Sequence, residues 1–392
     1  MKILMIHPHD INHDLEPWTV RITYLAKELV SLGFEVKLLY HLFESDTDAA
    51  SAIKQQDYPF ETIPFHRIGP GLAKRCGEIQ KLAFWADIIH FQKCTHYSAI
   101  PAIFSSFYHQ KPVHYDWDDW EQAIYEQDEF SRVGSWIFFQ QMEKHLLKLV
   151  DTVTVASQSL CRMTYRYGFP QEQVFYAPVG ADLELFNPSV DGEAIRRKNN
   201  WGRNLVLYHG QISGANYVHL FLRSAEKILS HRNDVIFAVV GGGDRLEEAK
   251  NLSNKLGITN HVTFTDKVPH ADVPKYIAAA DVTVACFEDN PQSRCKSPLK
   301  LVEYMASGKA IVASDMGEVP GMLGDCGLLV EPGSPDNIAQ GVETCIDDAS
   351  LRAQMGERAR RRAEQVFSWK RSCQSLAEAY EVAYFVRHGK TF

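Results

Sequence analysis

A chain of 392 residues is two to three times the commonest domain size, so two domains are expected, each large enough to bury its own core. Hydrophobic residues at 45% and charged residues at 23% belong to an ordinary folded protein and exclude a disordered or fibrous polymer. The acidic excess, 49 against 41 basic residues for a net charge of −8, is opposite in sign to a surface built for phosphate backbones, so nucleic acid is not expected as a partner.

Eight cysteines lie scattered from Cys76 to Cys373 without a C-x-x-C pair, which points neither to a disulfide framework nor to structural zinc. A reducing, cytoplasmic setting is expected. The opening apolar run is too short for a signal peptide and no stretch nears 18 apolar residues, so any membrane contact is expected to be peripheral, at the inner face.

In chain order, short Val/Ile/Leu-rich runs predict parallel strands at 2–6, 35–40, 87–91, 112–115, 152–155 and 174–176, the pattern of strands buried on both faces. The loop HPHDINHDLEPWTVR (7–21) follows the first of them and carries His7, His9, Asp10, His13 and Asp14. No spacing there matches a metal site, so acceptor binding or loop packing is expected. HYDWDDWE (114–121) puts four carboxylates in six residues at the end of a buried strand. Such a cluster suits a binding surface more than a core, with a solvated acidic turn as the plain alternative.

The segment 177–204 holds two prolines, three glycines and a run of charged and amide residues, the composition of a linker. Domains are expected at 1–182 and 205–366, with 183–204 between them and 367–392 as a terminal helix packing across both. Six more strands are predicted at 205–208, 235–240, 262–264, 282–287, 310–313 and 328–330. Two doubly wound α/β domains follow, with ligands beyond the carboxyl ends of the strands and the cleft between domains as the default site.

In the second half, GGGD (241–244) fails as a dinucleotide fingerprint because its third glycine would fall at Leu246, so hydride transfer is disfavoured. The stretch CKSPLKLVEYMASGKAIVASD (295–315) predicts a short helix with Ser297 as N-cap and Pro298 in its first turn. The free N–H groups near Leu299 and Lys300, with the Lys300 charge, suit a diphosphate. Glu303, three residues on, suits the two hydroxyls of a ribose. An N-capped helix with solvent-facing charges is the rival reading. The arginines of RARRRAE (358–364) are expected to line a solvated helix face.

Together with ADVTVACF before it and IVASDMGEVP after it, this stretch resembles the nucleotide-sugar site of the retaining glycosyltransferases of group 1, relatives of glycogen and sucrose synthases. VGADLELFNP, LYHGQ, VVGGGDRLEE, VPHADVPKYIAAADV and FSWKR sit in the family's order. The resemblance implies a GT-B architecture, two Rossmann-like domains facing across a cleft, and transfer of a hexosyl group from a nucleoside diphosphate sugar to a hydroxyl of a sugar, a lipid-linked or a small-molecule acceptor.

It further implies that Ser297, Pro298, Leu299 and Lys300 contact phosphate, that Glu303 binds ribose and that the backbone at Val268 meets the base. Gly210, Gln211, Gly242 and Gly243 would border the donor. Asp116 would lie beside the reacting sugar, with Lys300 as the second catalytic group, and His13, Asp118 and Asp119 would serve the acceptor. No cofactor and no metal are implied; a D-x-D metal site belongs to a different glycosyltransferase fold.

Three departures stand out. Cys295 occupies the place of the family's first glutamate, and Gln211 and Asn216 replace its arginine and lysine, which leaves Lys300 as the expected substitute. They also motivate two competing readings, an inactive nucleotide-sugar-binding partner subunit and a nucleotide-sugar epimerase.

Overall fold

The computed structural model describes residues 1–12, 16–42, 57–66, 72–127, 134–202, 204–213 and 217–391. They form two compact units. The first comprises Met1–Val179, Cys295–Ser297 and Trp369–Phe392, and the second Gly180–Arg294 and Pro298–Ser368.

The first unit runs β1 (Lys2–His7), α1 (Pro17–Ser31), β2 (Glu35–Leu42), β3 (Glu61–His66), α2 (Leu72–Trp85), β4 (Ile88–Gln92), α3 (His96–His109), β5 (Val113–Trp117), α4 (Glu121–Gln127), α5 (Ser135–Leu146), β6 (Thr152–Val155), α6 (Gln158–Arg166) and β7 (Val174–Tyr176). Its sheet has the order β3-β2-β1-β4-β5-β6-β7 and every pairing is parallel. The six expected strands are present. β3 is additional: Pro64 breaks its apolar run, and a proline is tolerated there because β3 is an edge strand with no second neighbour to accept its missing N–H.

The second unit runs α7 (Glu193–Asn199), β8 (Leu205–His209), α8 (Val218–Leu229), β9 (Ile236–Val240), α9 (Leu246–Lys255), β10 (Val262–Phe264), α10 (Val273–Ala279), β11 (Val282–Ala285), α11 (Pro291–Cys295), α12 (Leu299–Ala306), β12 (Ala310–Ser314), α13 (Val319–Leu323), β13 (Leu328–Val330), α14 (Pro335–Asp347) and α15 (Ala349–Gln365), its parallel sheet ordered β10-β9-β8-β11-β12-β13. Cys295, the last residue of α11, lies in the first unit's core.

Two boundaries differ from expectation. Residues 183–204 are no free linker. Arg196 donates to the Ala279 carbonyl and pairs with Asp281, while Arg360 donates to the carbonyls of Leu183, Phe186 and Ala306, and these bonds make the segment part of the second unit. Arg362 likewise donates to the carbonyls of Met322 and Gly321. Two arginines of RARRRAE are therefore brackets for backbone carbonyls, not solvated charges.

The closing helix α16 (Trp369–His388) belongs to the first unit. Trp369 stacks on Tyr24 of α1, Ser372 donates to the Pro178 carbonyl, and the buried Tyr380 hydroxyl meets His90 Nδ1 at 2.8 Å.

Parallel register carries polar side chains straight across the first sheet. His90, His114 and Thr152 stand side by side, and two residues on, Gln92, Asp116 and Thr154 do the same, since side chains two apart share a face. His7 extends the second row through a 2.7 Å bond to Gln92. All of these are fully buried.

Candidate functional site

In the second unit the chemistry gathers where β8 ends. Gly210, at φ +134°, follows the strand, and a Cβ there would lie 3.0 Å from Lys300 Nζ. The lysine thus reaches back from the first turn of α12 to the carboxyl edge of β8, its ammonium 4.0 Å from the centre of the buried Tyr208 ring. That cation–π seat holds a charge in place without neutralising it.

One turn along α12, Glu303 is only 2% exposed. Its Oε2 accepts from His209 Nε2 at 2.9 Å and its Oε1 from His270 Nε2 at 3.1 Å. The next residue, Tyr304, accepts a bond from the His209 backbone N–H, so consecutive residues of α12 fasten the end of β8 by side chain and by backbone. Burial pushes the Glu303 carboxyl up, but the bonds and charges of the two histidines outweigh it and hold it at about 2. The group is an anion at any physiological pH, with lone pairs left beyond the two already used.

Two expectations need revision here. Ser297 does not cap α12: the helix starts at Leu299 with Pro298 in the cap position, and Ser297 Oγ accepts from the Val179 N–H within the first unit. A proline at the cap leaves the first N–H groups of α12 without an intrahelical side-chain acceptor, which suits an anion there.

Gly242 and Gly243 are required by the chain itself. A Cβ at 243 would stand 2.1 Å from the Ile212 carbonyl oxygen and one at 242 would strike Asp266 and Lys267. Gln211 is exposed and Val268 half-buried. Asn216 lies outside the described residues.

The second revision concerns Asp116. Its carboxylate is fully buried and fully engaged: Arg21 donates Nε to Oδ2 at 2.8 Å and Nη2 to Oδ1 at 2.7 Å, and Thr154 donates to Oδ1 at 2.7 Å. Burial pushes this carboxyl up, yet the Arg21 charge and bonds carry it well below the ordinary range. A bidentate buried pair of this kind stabilises position and leaves no free edge for a sugar or a metal.

The remaining acids of HYDWDDWE surround one cation. Lys93, buried and at φ +62°, bonds Glu121 and lies 3.4 Å from Asp118 and 4.0 Å from Asp119. Asp118 also accepts from Gln92 Nε2 at 2.9 Å. Burial pushes Asp118 up to about 7; Lys93 opposes the rise and Asp119, Asp116 and Glu121 add to it. Asp119 also faces the buried Lys296, so it is Asp118, buried among three other acids, that keeps part of a proton near neutrality.

Sequence reasoning did not single out Lys93, Arg21, His209 or His270 as members of these clusters. His7 is walled in between Gln92 and Thr19, and His13 and Asp14 lie outside the described residues. Among the described residues no group of three or more His, Cys, Asp or Glu side chains is arranged to hold a metal ion.

The family model of glycosyl transferases group 1 matches residues 191–362, and that of glycosyltransferase family 4 matches 19–185. The MMP alpha-(1->4)-mannosyltransferase of Mycolicibacterium hassiacum is 27% identical over 64% of this chain and 59% of its own length. The D-inositol 3-phosphate glycosyltransferase of Corynebacterium kroppenstedtii is 25% identical over 93% of this chain and 84% of its own. The chain spans about three fifths of the length of several curated relatives it matches.

Among solved structures, Anabaena HepE in complex with UDP and glucose superposes with a TM-score of 0.77 at 19% identity, over 96% of this chain and 98% of that one. WaaG, a glycosyltransferase of lipopolysaccharide biosynthesis, gives 0.68 at 16% identity over the whole of both. At those identities the likeness is one of fold, the two-domain α/β GT-B fold.

Proposed function

The chain belongs to the glycosyl transferases group 1 family, and from that premise we propose that it moves a hexosyl group from a nucleoside diphosphate sugar to a hydroxyl acceptor with retention of anomeric configuration. The observation that supports this reading most directly is the meeting of Lys300, Gly210 and Glu303 at the end of β8. The two ends of a nucleoside diphosphate, ribose and phosphate, call for a fixed carboxylate and a fixed cation about one helical turn apart.

In this reading Glu303 accepts the ribose hydroxyls, the Val268 backbone meets the base, and Lys300 with the first N–H groups of α12 receives the charge that develops on the departing diphosphate. Preorganised donors aimed at a developing anion lower the barrier more than any other single device. An oxocarbenium-like sugar is then attacked on the face from which the leaving group departs, and the acceptor proton passes to the leaving phosphate. Asp118 and Asp119 with Lys93 form the acceptor-binding cluster of the first unit, and Arg21, locked to Asp116, adds its positive charge within electrostatic reach of both acids.

HepE is described with UDP and glucose, which makes UDP-glucose the first donor to try. The test is a panel of nucleoside diphosphate sugars with a mixed acceptor pool, read by release of the nucleotide and by the anomeric coupling of the product. Transfer with a retained anomer is the expected result. Nucleotide binding without transfer or hydrolysis would favour the inactive-partner reading, and an inverted product would refute the proposed mechanism.

A further inference from the structure

Gln92 ends β4 fully buried, and its amide is held from both ends. Nε2 donates to the Trp18 carbonyl at 3.2 Å and to Asp118 Oδ2 at 2.9 Å, while Oε1 faces His7 Nδ1 at 2.7 Å. Two acceptors on one side fix which end of the amide is nitrogen, and an amide oxygen only accepts, so His7 carries its proton on Nδ1. His7 Nε2 then accepts from the Thr19 hydroxyl, 3.2 Å away. Burial pushes the His7 ring down to about 3, which keeps it neutral and in this tautomer.

The bonds therefore run one way, from Thr19 to His7 to Gln92 to Asp118, starting in α1 and ending at the residue after β5. The last of them lands on one oxygen of a carboxylate. The other, Asp118 Oδ1, is buried with no hydrogen-bond donor among the described residues. Lys93 Nζ lies 3.4 Å from it and gives its bond to Glu121. A buried acceptor left without a donor costs free energy, and a hydroxyl brought by a ligand would recover it.

We propose that Gln92, oriented by His7, is a positioning residue for the acceptor: it occupies Oδ2 of Asp118 and so keeps Oδ1 for an acceptor hydroxyl. This role rests on the proposed binding of the acceptor by Asp118 and Asp119. The charged groups that face Asp118 are Lys93 beside Gln92, Asp119 and Glu121 on its own stretch, Asp116 of β5 and Arg21 of α1, with Lys296 beyond Asp119. Lys93 and Arg21 are bound to Glu121 and Asp116. Among the described residues that leaves Gln92 as the neutral donor to the Asp118 carboxylate.

The experiment uses the whole chain and begins without substrate. Aspartate carboxyl carbons are followed by NMR, Asp118 being the resonance lost in Asp118→Asn. A hydrogen bond to the charged form of an acid favours that form, so in Gln92→Met, which lacks the donor, Asp118 should titrate about one pH unit higher. Thr19→Val, a milder change at the head of the chain of bonds, should move it the same way by less; no movement in either variant overturns the proposal. Turnover is then read with the donor and acceptor that the panel above selects. Gln92→Met should raise the acceptor KM about tenfold and leave the donor KM near wild type. Gln92→Glu keeps the shape but donates only while it holds a proton, so its acceptor KM should match wild type at about pH 6 and rise as in Gln92→Met at about pH 8. A Gln92→Glu enzyme with the same acceptor KM at both pH values would also overturn the proposal, because a space-filling role has no such pH dependence. A titration that moves while the acceptor KM ignores both Gln92→Met and Asp118→Asn would instead refute acceptor binding by the cluster, and the positioning role with it.

Discussion

The two units share a parallel sheet wrapped by helices and use charge in opposite ways. In the first, ionic and polar groups run through the middle of the sheet, His90 beside His114 and Asp116 locked to Arg21. In the second, the strand interiors are apolar apart from residues such as Thr283, and the charged groups Lys300 and Glu303 wait at the strand ends. Charges inside the first sheet answer one another across neighbouring strands; those at the edge of the second are gathered on one helix, Glu303 clamped by His209 and His270 and Lys300 seated on the Tyr208 ring.

The sharpest way to break this comparison is Asp116→Ala. Removing one partner of a buried bidentate pair should cost about 3 to 5 kcal/mol in denaturant unfolding. Nucleotide affinity of the folded fraction should stay near wild type. A loss of activity at unchanged stability would return Asp116 to the chemistry.

Acid should separate the units next. His90 is held down at about 4 and His7 at about 3, both chiefly by burial, and an ordinary histidine titrates near 6.5. The unfolded chain therefore takes up protons that the folded one refuses, so the stability these groups confer is whole above pH 6.5 and declines as pH falls toward 4. For His90 the decline amounts to roughly 3 kcal/mol at 1.36 kcal/mol per unit. Glu303 works in another window, its contribution present above about 4.5 and lost only as pH falls toward 2. Hydrogen exchange between pH 7 and 5 should show amides of β4–β6 opening before those of β8 and α12; simultaneous opening would refute the difference.

Smaller effects sharpen the division within the donor site. Glu303→Ala and Lys300→Ala should each weaken nucleoside diphosphate binding by about 1.5 to 3 kcal/mol, the worth of a hydrogen bond to a charged group. Only Glu303→Ala should weaken the free nucleoside equally, which calorimetry with both ligands decides. His209→Phe should cost less, about 1 kcal/mol, because His270 still holds the carboxylate; an effect as large as that of Glu303→Ala would mean that His209 touches the ligand itself.

What the sequence made legible follows from what one strand or one helix can announce by itself. Strands buried on both faces are continuous apolar runs, so twelve of them stood out, whereas β3 hid behind Pro64 and α11 is five residues within a loop-like stretch. Lys300 and Glu303 were visible because they share one helix.

The clamp on Glu303 was not visible. His209 and His270 come from separate places 94 and 33 residues away in sequence, and a lone histidine beside a glycine carries no spacing signal. Asp116 was misread for the same reason: composition shows four carboxylates together but not the guanidinium that arrives from 95 residues earlier.

The return of α16 to the first unit has a consequence for how the protein is made. His90 and His114 stay uncovered until Tyr380 has left the ribosome, yet between Val179 and Trp369 the whole second unit must be synthesised, apart from the short visit at 295–297. At roughly 5 to 20 residues per second that is an interval of roughly 10 to 40 s. During it the first unit is a nascent sheet lacking its last covering helix, while the strands of the second are still being added one by one. The part of the chain that emerges first is thus the last to be completed.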